Sequence, residues 1–172
     1  MKIMTCTLAI ESGKLDEIVE VTDIIKESYG SGIYIEVGEE ITLRDLLYGL
    51  MLRSGNDAAI LIAEYISGSK EEFVFLMNEY ASFLKMESSH FVNPSGLEET
   101  DGSANESSAL DMARLMQYAM QNSMFAQIVK TQKHVVKTNY KTYVWYNKNK
   151  LLSLDYVTGG KTGYTVKAKR TL

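Results

Sequence analysis

The sequence contains one cysteine, Cys6, one proline, Pro94, and two histidines, His90 and His134. A lone cysteine forms no internal disulfide. Cys6 lies in an apolar helical run, which fits a buried structural thiol better than a nucleophile. A catalytic thiol needs an imidazole partner, and both histidines are distant in sequence. No Cys/His cluster has metal-ligand spacing, so no metal site is expected. No run of about 18 apolar residues offers a helical membrane span. There is no basic block either: 18 Lys and Arg stand against 22 Asp and Glu, for a net charge of -4. A binder of phosphate backbones would show a basic face, so nucleic acid is not an expected partner. Internal repeats, low-complexity tracts and linkers are missing as well.

What remains is a chain of 172 residues, 45% apolar, which is enough to bury a core and points to one domain. "KIMTCTLAIESG" opens it as mid-helix sequence without an N-cap, stopped by Gly13. "EIVEV" and "GIYIEVG" alternate near glycines and predict strand or extended loop. Thr42 opens "TLRD", a capping-box-like start, and Leu43, Leu46, Leu47, Leu50 and Met51 then follow helical spacing. Ser54-Gly55-Asn56 interrupts that pattern. From Asp57 "AAILIAEYI" resumes it, apolar nearly all round, as in a helix buried on most sides.

Further helices are expected after Ser69, with Glu72 at the capping-box position, after Ser108, with Asp111, and after Ser123. "NPSGL" is turn chemistry, and the acid-rich stretch 98–106 reads as a solvated loop. His90 suits a structural hydrogen bond, and His134, among lysines in a predicted hairpin, suits the surface. From Val135 on, "HVVKT", "KTYVWYN" and "VTGGKTGYTV" are rich in β-branched and aromatic residues and predict strands. The sum is a helical middle with strand-rich ends, α+β or mixed α/β.

Three polar groups interrupt apolar elements: Lys2 at a helix start, Ser54 and Asn56 between two helices, and Lys161-Thr162-Gly163 after Gly159-Gly160. Each position is costly for a polar group unless it is paired. Converged, they would form a site with two amines, two hydroxyls and an amide. Taken alone, Ser54-Gly55-Asn56 reads as a plain helix–helix turn. Lys161-Thr162-Gly163 alone reads as a strand end, and Lys2 alone as a solvated lysine.

Their order changes that reading. Ser-x-Asn followed by Lys-Thr-Gly is found in the penicillin-recognising serine enzymes. With "GSGIYIEVGEEITLRDLLYGLMLRSGNDAAILIAEYISGS", "HFVNPSGL", "ALDMARL", "NKNKLL" and "GGKTGYT", the chain resembles the D-alanyl-D-alanine carboxypeptidases nearly end to end. These are low-molecular-mass penicillin-binding proteins. The resemblance implies a β-lactamase/DD-peptidase-like fold, a helical cluster against an antiparallel sheet. It implies acyl-enzyme hydrolysis of peptidoglycan stem peptides ending in D-Ala-D-Ala, inhibition by β-lactams, and no metal or organic cofactor. Lys2 matches the general base. Ser54 matches the hydroxyl that relays protons toward the leaving amine, and Asn56 the amide that binds substrate. Lys161 and Thr162 match the pair that holds the substrate carboxylate. Gly163 matches the residue that lets the strand approach the substrate, and the backbone N–H of Tyr164 one of two oxyanion donors.

In that family the nucleophilic serine stands three residues before the lysine, which here falls before Met1. Residues 1–172 are therefore expected to form a partial penicillin-binding domain, inactive alone. An incomplete sheet would leave one face of the apolar helices uncovered and favour self-association. The full-length protein is expected outside the cytoplasmic membrane, attached to it only through segments absent here. Two other functions remain open: a class A-like β-lactamase, whose deacylating glutamate would be sought at Glu98 or Glu99, and an inactive binding protein of the same fold.

Overall fold

The computed structural model describes residues 1–171. Its core is built around three consecutive apolar helices. Helix α1 (Lys2–Glu11) buries every residue from Ile3 to Ile10, with Cys6 fully enclosed. Ser12 closes it and Gly13 turns the chain at φ +75°, where a glycine has no steric penalty. Helix α2 (Leu43–Arg53) starts at Thr42, whose side chain accepts from the backbone N–H of Asp45. Helix α3 (Asn56–Ser67) buries its first eight positions, from Asn56 to Ala63. The apolar sides of these helices pack on one another and on helices α4 (Lys70–Phe83), α5 (Ala109–Ala119) and α6 (Ser123–Lys130). A side chain such as Leu47, fully buried here, stabilises the fold by about 1.5–3 kcal/mol. The caps of α4 and α5 are Ser69 and Ser108, as the sequence suggests, while α6 is capped by Asn122.

Among the described residues the strands form three separate two-stranded antiparallel sheets rather than one. Strand β1 (Ile18–Glu20) pairs with β2 (Glu40–Thr42). Strand β3 (Lys133–Lys137) pairs with β4 (Thr142–Tyr146), and β5 (Gly163–Thr165) with β6 (Lys169–Thr171). Residues 32–38 take the extended-loop alternative and not a strand. Ile33 and Ile35 still turn into the core.

Several expectations need correction. Uncovered apolar helix surface is not on α1, α2 or most of α3, which are buried, but on α4 and α5, where Phe75, Phe83 and Leu110 are exposed. Others lie on the outer side of the β3–β4 hairpin (Val135, Val144, Tyr146) and along residues 151–166. A helix apolar all round needs cover from every direction, and here neighbouring helices supply it. His134 is not a surface residue. It is half-buried, stacks on Tyr48 of α2 with ring centroids 3.7 Å apart, and pairs with Asp45 at 2.7 Å. Burial opposes ionisation of Asp45, but hydrogen bonds from His134 and Thr42 outweigh it and hold its carboxyl below the usual range. His90 is exposed, and its main chain bonds both ways with Glu106. Nor is the acid-rich loop merely solvated: Glu99 pairs with Lys70 at 3.0 Å, and Asn105 accepts from the N–H groups of Val92 and Asn93.

Candidate active site

Lys2, Ser54, Asn56, Lys161, Thr162, Gly163 and Tyr164 line one cavity of about 410 Å³, and Glu98 but not Glu99 lines it with them. Lys2 enters it from the first turn of α1. Its Nζ donates to Asn56 Oδ1 at 2.7 Å and to the carbonyl of Ser95. That carbonyl is held by the turn 93–97. Buried Asn93 accepts from the Gly96 N–H at 2.7 Å through Oδ1 and donates to the Leu97 carbonyl at 2.7 Å through Nδ2. Thr5, one turn along α1, donates to the Pro94 carbonyl at 2.8 Å, so helix and turn are tied together.

Helices α2 and α3 meet at Ser54, which adopts the left-handed conformation, φ 64° and ψ 36°. This ends α2 and turns the hydroxyl toward the cavity. Asn56 begins α3 and is almost fully buried, with every polar atom engaged. Its main-chain N–H donates to the Ser31 carbonyl at 2.7 Å, its Nδ2 to the Tyr29 carbonyl at 2.6 Å, and its Oδ1 receives Lys2. The amide flip is fixed by these partners.

Lys161 comes from the other side, and its Nζ donates to Ser54 Oγ at 3.0 Å. The sequence placed Lys161 and Thr162 in a strand, but β5 begins only at Gly163. The stretch before it runs against α6: a Cβ on Gly159 would lie 2.5 Å from Val129 Cγ2. Gly160 carries φ +141°. Two glycines in this geometry break the pleat and aim the lysine at Ser54. Thr162, Gly163 and Tyr164 complete this wall, and Ser95, Leu97, Glu98 and Glu106 stand in the facing one.

Electrostatics follow from this crowding. Burial lowers the Lys2 ammonium to about 7, helped by Lys161 and then Lys148, while Asp57 acts in the opposite direction. Lys161 is pushed down to about 8 by burial and by Lys148. Desolvation and like charge are the two ways to make a lysine basic at neutral pH without its proton. A neutral amine at Lys2 has two N–H bonds, which Asn56 and Ser95 accept. Its lone pair is then free to take a proton. Cys6 plays no such part, because burial pushes its thiol up.

Sequence reasoning missed the main-chain groups of Tyr29, Ser31 and Ser95, and the contribution of Lys148, whose Nζ reaches Ser31 Oγ at 3.3 Å. A signal for the first two was present in "YGSGI", where glycines flank Ser31.

Comparison with known proteins adds the family. Residues 1–172 match the family described as D-alanyl-D-alanine carboxypeptidase. The chain is 37% identical to D-alanyl-D-alanine carboxypeptidase DacF of Bacillus subtilis over 178 aligned positions, covering 99% of this chain and 45% of that protein. It is 35% identical to a D-alanyl-D-alanine carboxypeptidase of a Streptomyces strain, covering 99% of this chain and 64% of that one. The crystal structure of a D-alanyl-D-alanine carboxypeptidase from Mycobacterium tuberculosis superposes with a TM-score of 0.91 at 30% identity, over 98% of this chain and 64% of that one. A Streptomyces DD-transpeptidase superposes at 0.90, with 32% identity, over 98% of this chain and 71% of that one. The chain thus spans between about a third and two thirds of the length of the curated relatives it matches. The family match along the whole chain and the shared fold lead to one conclusion: this chain belongs to the D-alanyl-D-alanine carboxypeptidase family.

Proposed function

We propose that these residues belong to a serine-type D-Ala-D-Ala carboxypeptidase, which removes the terminal D-alanine from peptidoglycan stem peptides outside the cytoplasmic membrane. The observation that carries this reading is the pairing of Lys2 with Asn56 and of Lys161 with Ser54 on one cavity. A serine hydroxyl attacks an amide only when a neighbouring base removes its proton. Lys2, lowered to about 7, has the basicity for that step. Attack on the penultimate carbonyl forms a tetrahedral oxyanion, and the Tyr164 N–H is one of its two donors. Ser54, bonded to Lys161, passes its proton to the departing D-alanine amine and is re-protonated by the proton that Lys2 took from the serine, which leaves Lys2 neutral again. The terminal carboxylate lies against Lys161 and Thr162, and Asn56 bonds the peptide backbone. Water then repeats the attack on the acyl-serine with Lys2 again as base. β-Lactams, which mimic the D-Ala-D-Ala end, acylate the same serine and act as inhibitors. None of these steps calls for a metal or organic cofactor.

The nucleophile of this reading stands three residues before Lys2, outside residues 1–172. Intact mass after incubation with penicillin tests it on two proteins: the 172 residues, and a protein extended upstream through Ser-x-x-Lys. A penicilloyl adduct on the extended protein alone is the expected result. An adduct on the shorter one would make Ser54 a nucleophile and refute its relay role. No adduct on either would favour an inactive binding protein. The β-lactamase reading retains one observation, Glu98 on the cavity wall. Cephalosporin turnover faster than D-alanine release would favour it.

A further inference from the structure

Residues 29–34 wrap the start of α3, and their shape depends on a carboxylate with no assigned role. Asp57 is buried. Its Oδ2 accepts from the main-chain N–H groups of Tyr34 at 2.7 Å and Ile33 at 3.0 Å, and its Oδ1 from Ile33 at 3.0 Å and Ala58 at 2.8 Å. A carboxylate in the first turn of a helix is favourable in any case. Here, though, most of its bonds go to a different segment. Tyr34 takes φ +62°, a strained conformation for an aromatic residue, and donates its N–H to this carboxylate. The fit requires two glycines. A Cβ on Gly32 would lie 2.9 Å from Asp57 Oδ2, and a Cβ on Gly30, at φ +80°, 3.2 Å from Asn56 Nδ2.

We propose that Asp57 is a positioning residue: by fixing residues 29–34 it sets the Tyr29 and Ser31 carbonyls that hold Asn56, and through Asn56 it sets the Lys2 amine. This deepens the proposed function and rests on its reading of Lys2 as the base. The path through the structure is continuous. Asp57 holds Ile33 and Tyr34, Tyr29 and Ser31 hold both ends of Asn56, and Asn56 Oδ1 holds Lys2. The charged groups around Lys2 are the adjoining Met1 amine, Lys161 ahead of β5, Lys148 after β4 and Asp57 itself, with Glu98, Glu106 and Lys167 lining the same cavity.

The test uses Asp57→Asn, with Glu39→Gln as its control. Glu39 is also a buried carboxylate on this stretch. It accepts from the Glu36 N–H and the Tyr143 hydroxyl, away from Asn56. Lysine-labelled protein is titrated by NMR at the Nζ of Lys2, and exchange of the Asn56 amide with solvent is followed. In Asp57→Asn the Lys2 midpoint should fall by about one pH unit. The Asn56 amide should exchange on the order of tenfold faster, the scale of one weakened buried hydrogen bond. Glu39→Gln should change neither, even though it weakens the fold. Gly32→Ala pushes the carboxylate aside while keeping the aspartate, and it stands in if Asp57→Asn does not fold; faster Asn56 exchange is expected there too.

A changed midpoint with unchanged exchange would mean that charge acts at a distance, and positioning would be wrong. Faster exchange with an unchanged midpoint would make Asp57 merely structural. Equal behaviour of the Asp57 and Glu39 variants would also overturn the proposal. A wild-type Lys2 midpoint near the ordinary lysine value would sink the lysine-base reading instead, and the comparison among variants would still decide the role of Asp57.

Discussion

Replacing Lys2 by methionine tests the energetics of the site without any substrate. The unfolded chain keeps its lysine proton up to a pKa of 10.5, whereas the folded chain releases it near 7. Between those values unfolding takes up a proton, so rising pH favours the fold. Below 7 the ammonium is charged in both states and the full cost of burying it is felt. The fall from 10.5 to about 7 corresponds to about 5 kcal/mol of preference for the neutral amine. Over the window from about pH 7.5 to 9.5, Lys2 alone should add about 2 kcal/mol to the stability. Lys161, lowered to about 8, adds a smaller gain across the same window, and it persists in the variant. Urea unfolding at both ends of the window measures this directly. The wild-type protein should become more resistant as pH rises, and Lys2→Met should lose about 2 kcal/mol of that gain. Equal gains in the two proteins, or a wild-type stability that falls with pH, would refute the burial of this ammonium against a second one.

Two further variants address the walls of the cavity. Ser54→Ala and Ser54→Gly both lose the hydroxyl that Lys161 bonds, but only glycine is at ease at φ 64°. The glycine variant should therefore be the more stable by about 1 kcal/mol in denaturant titrations, and equal midpoints would argue against strain at this turn. Gly159→Ala would place a methyl 2.5 Å from Val129 Cγ2 and 3.3 Å from its main-chain carbon. It should cost at least about 2 kcal/mol by thermal unfolding. It should also move Lys161 off Ser54, returning the Lys161 midpoint from about 8 toward 10.5, and a variant with wild-type values would show that this stretch is free to shift.

The helices were legible because their signals are local. Thr42, Ser69 and Ser108 cap them through their own next turn, and the apolar spacing of α2 needs no partner to be recognised. The polar interruptions were legible for the opposite reason: Ser54, Asn56 and Lys161 have no local cause and had to be explained by contacts far along the chain. Where the reading failed, the deciding contact was distant and of ordinary type. His134 sits among lysines in sequence, yet Asp45 and Tyr48, more than 80 residues away, draw it inward. Residues 32–38 alternate like a strand, but Asp57 and Glu39 take their main-chain N–H groups at Ile33, Tyr34 and Glu36 in place of a neighbouring strand. Likewise, no spacing rule reveals that the Ser95 carbonyl caps a lysine from residue 2.

The cavity joins Lys2 to Lys161, residues far apart in sequence, and this gives its formation an order in time. During synthesis Lys2 can settle against Asn56 and Ser95 once the chain through helix α6 has emerged and the core helices have condensed. At that moment the wall bearing Lys161 has not yet been made. A growing chain therefore contains the amine before it contains the second ammonium that helps strip its proton. Reactivity at Lys2 is complete only once the segment bearing Lys161 docks, and chains that stop short of it are held in a chemically quieter state.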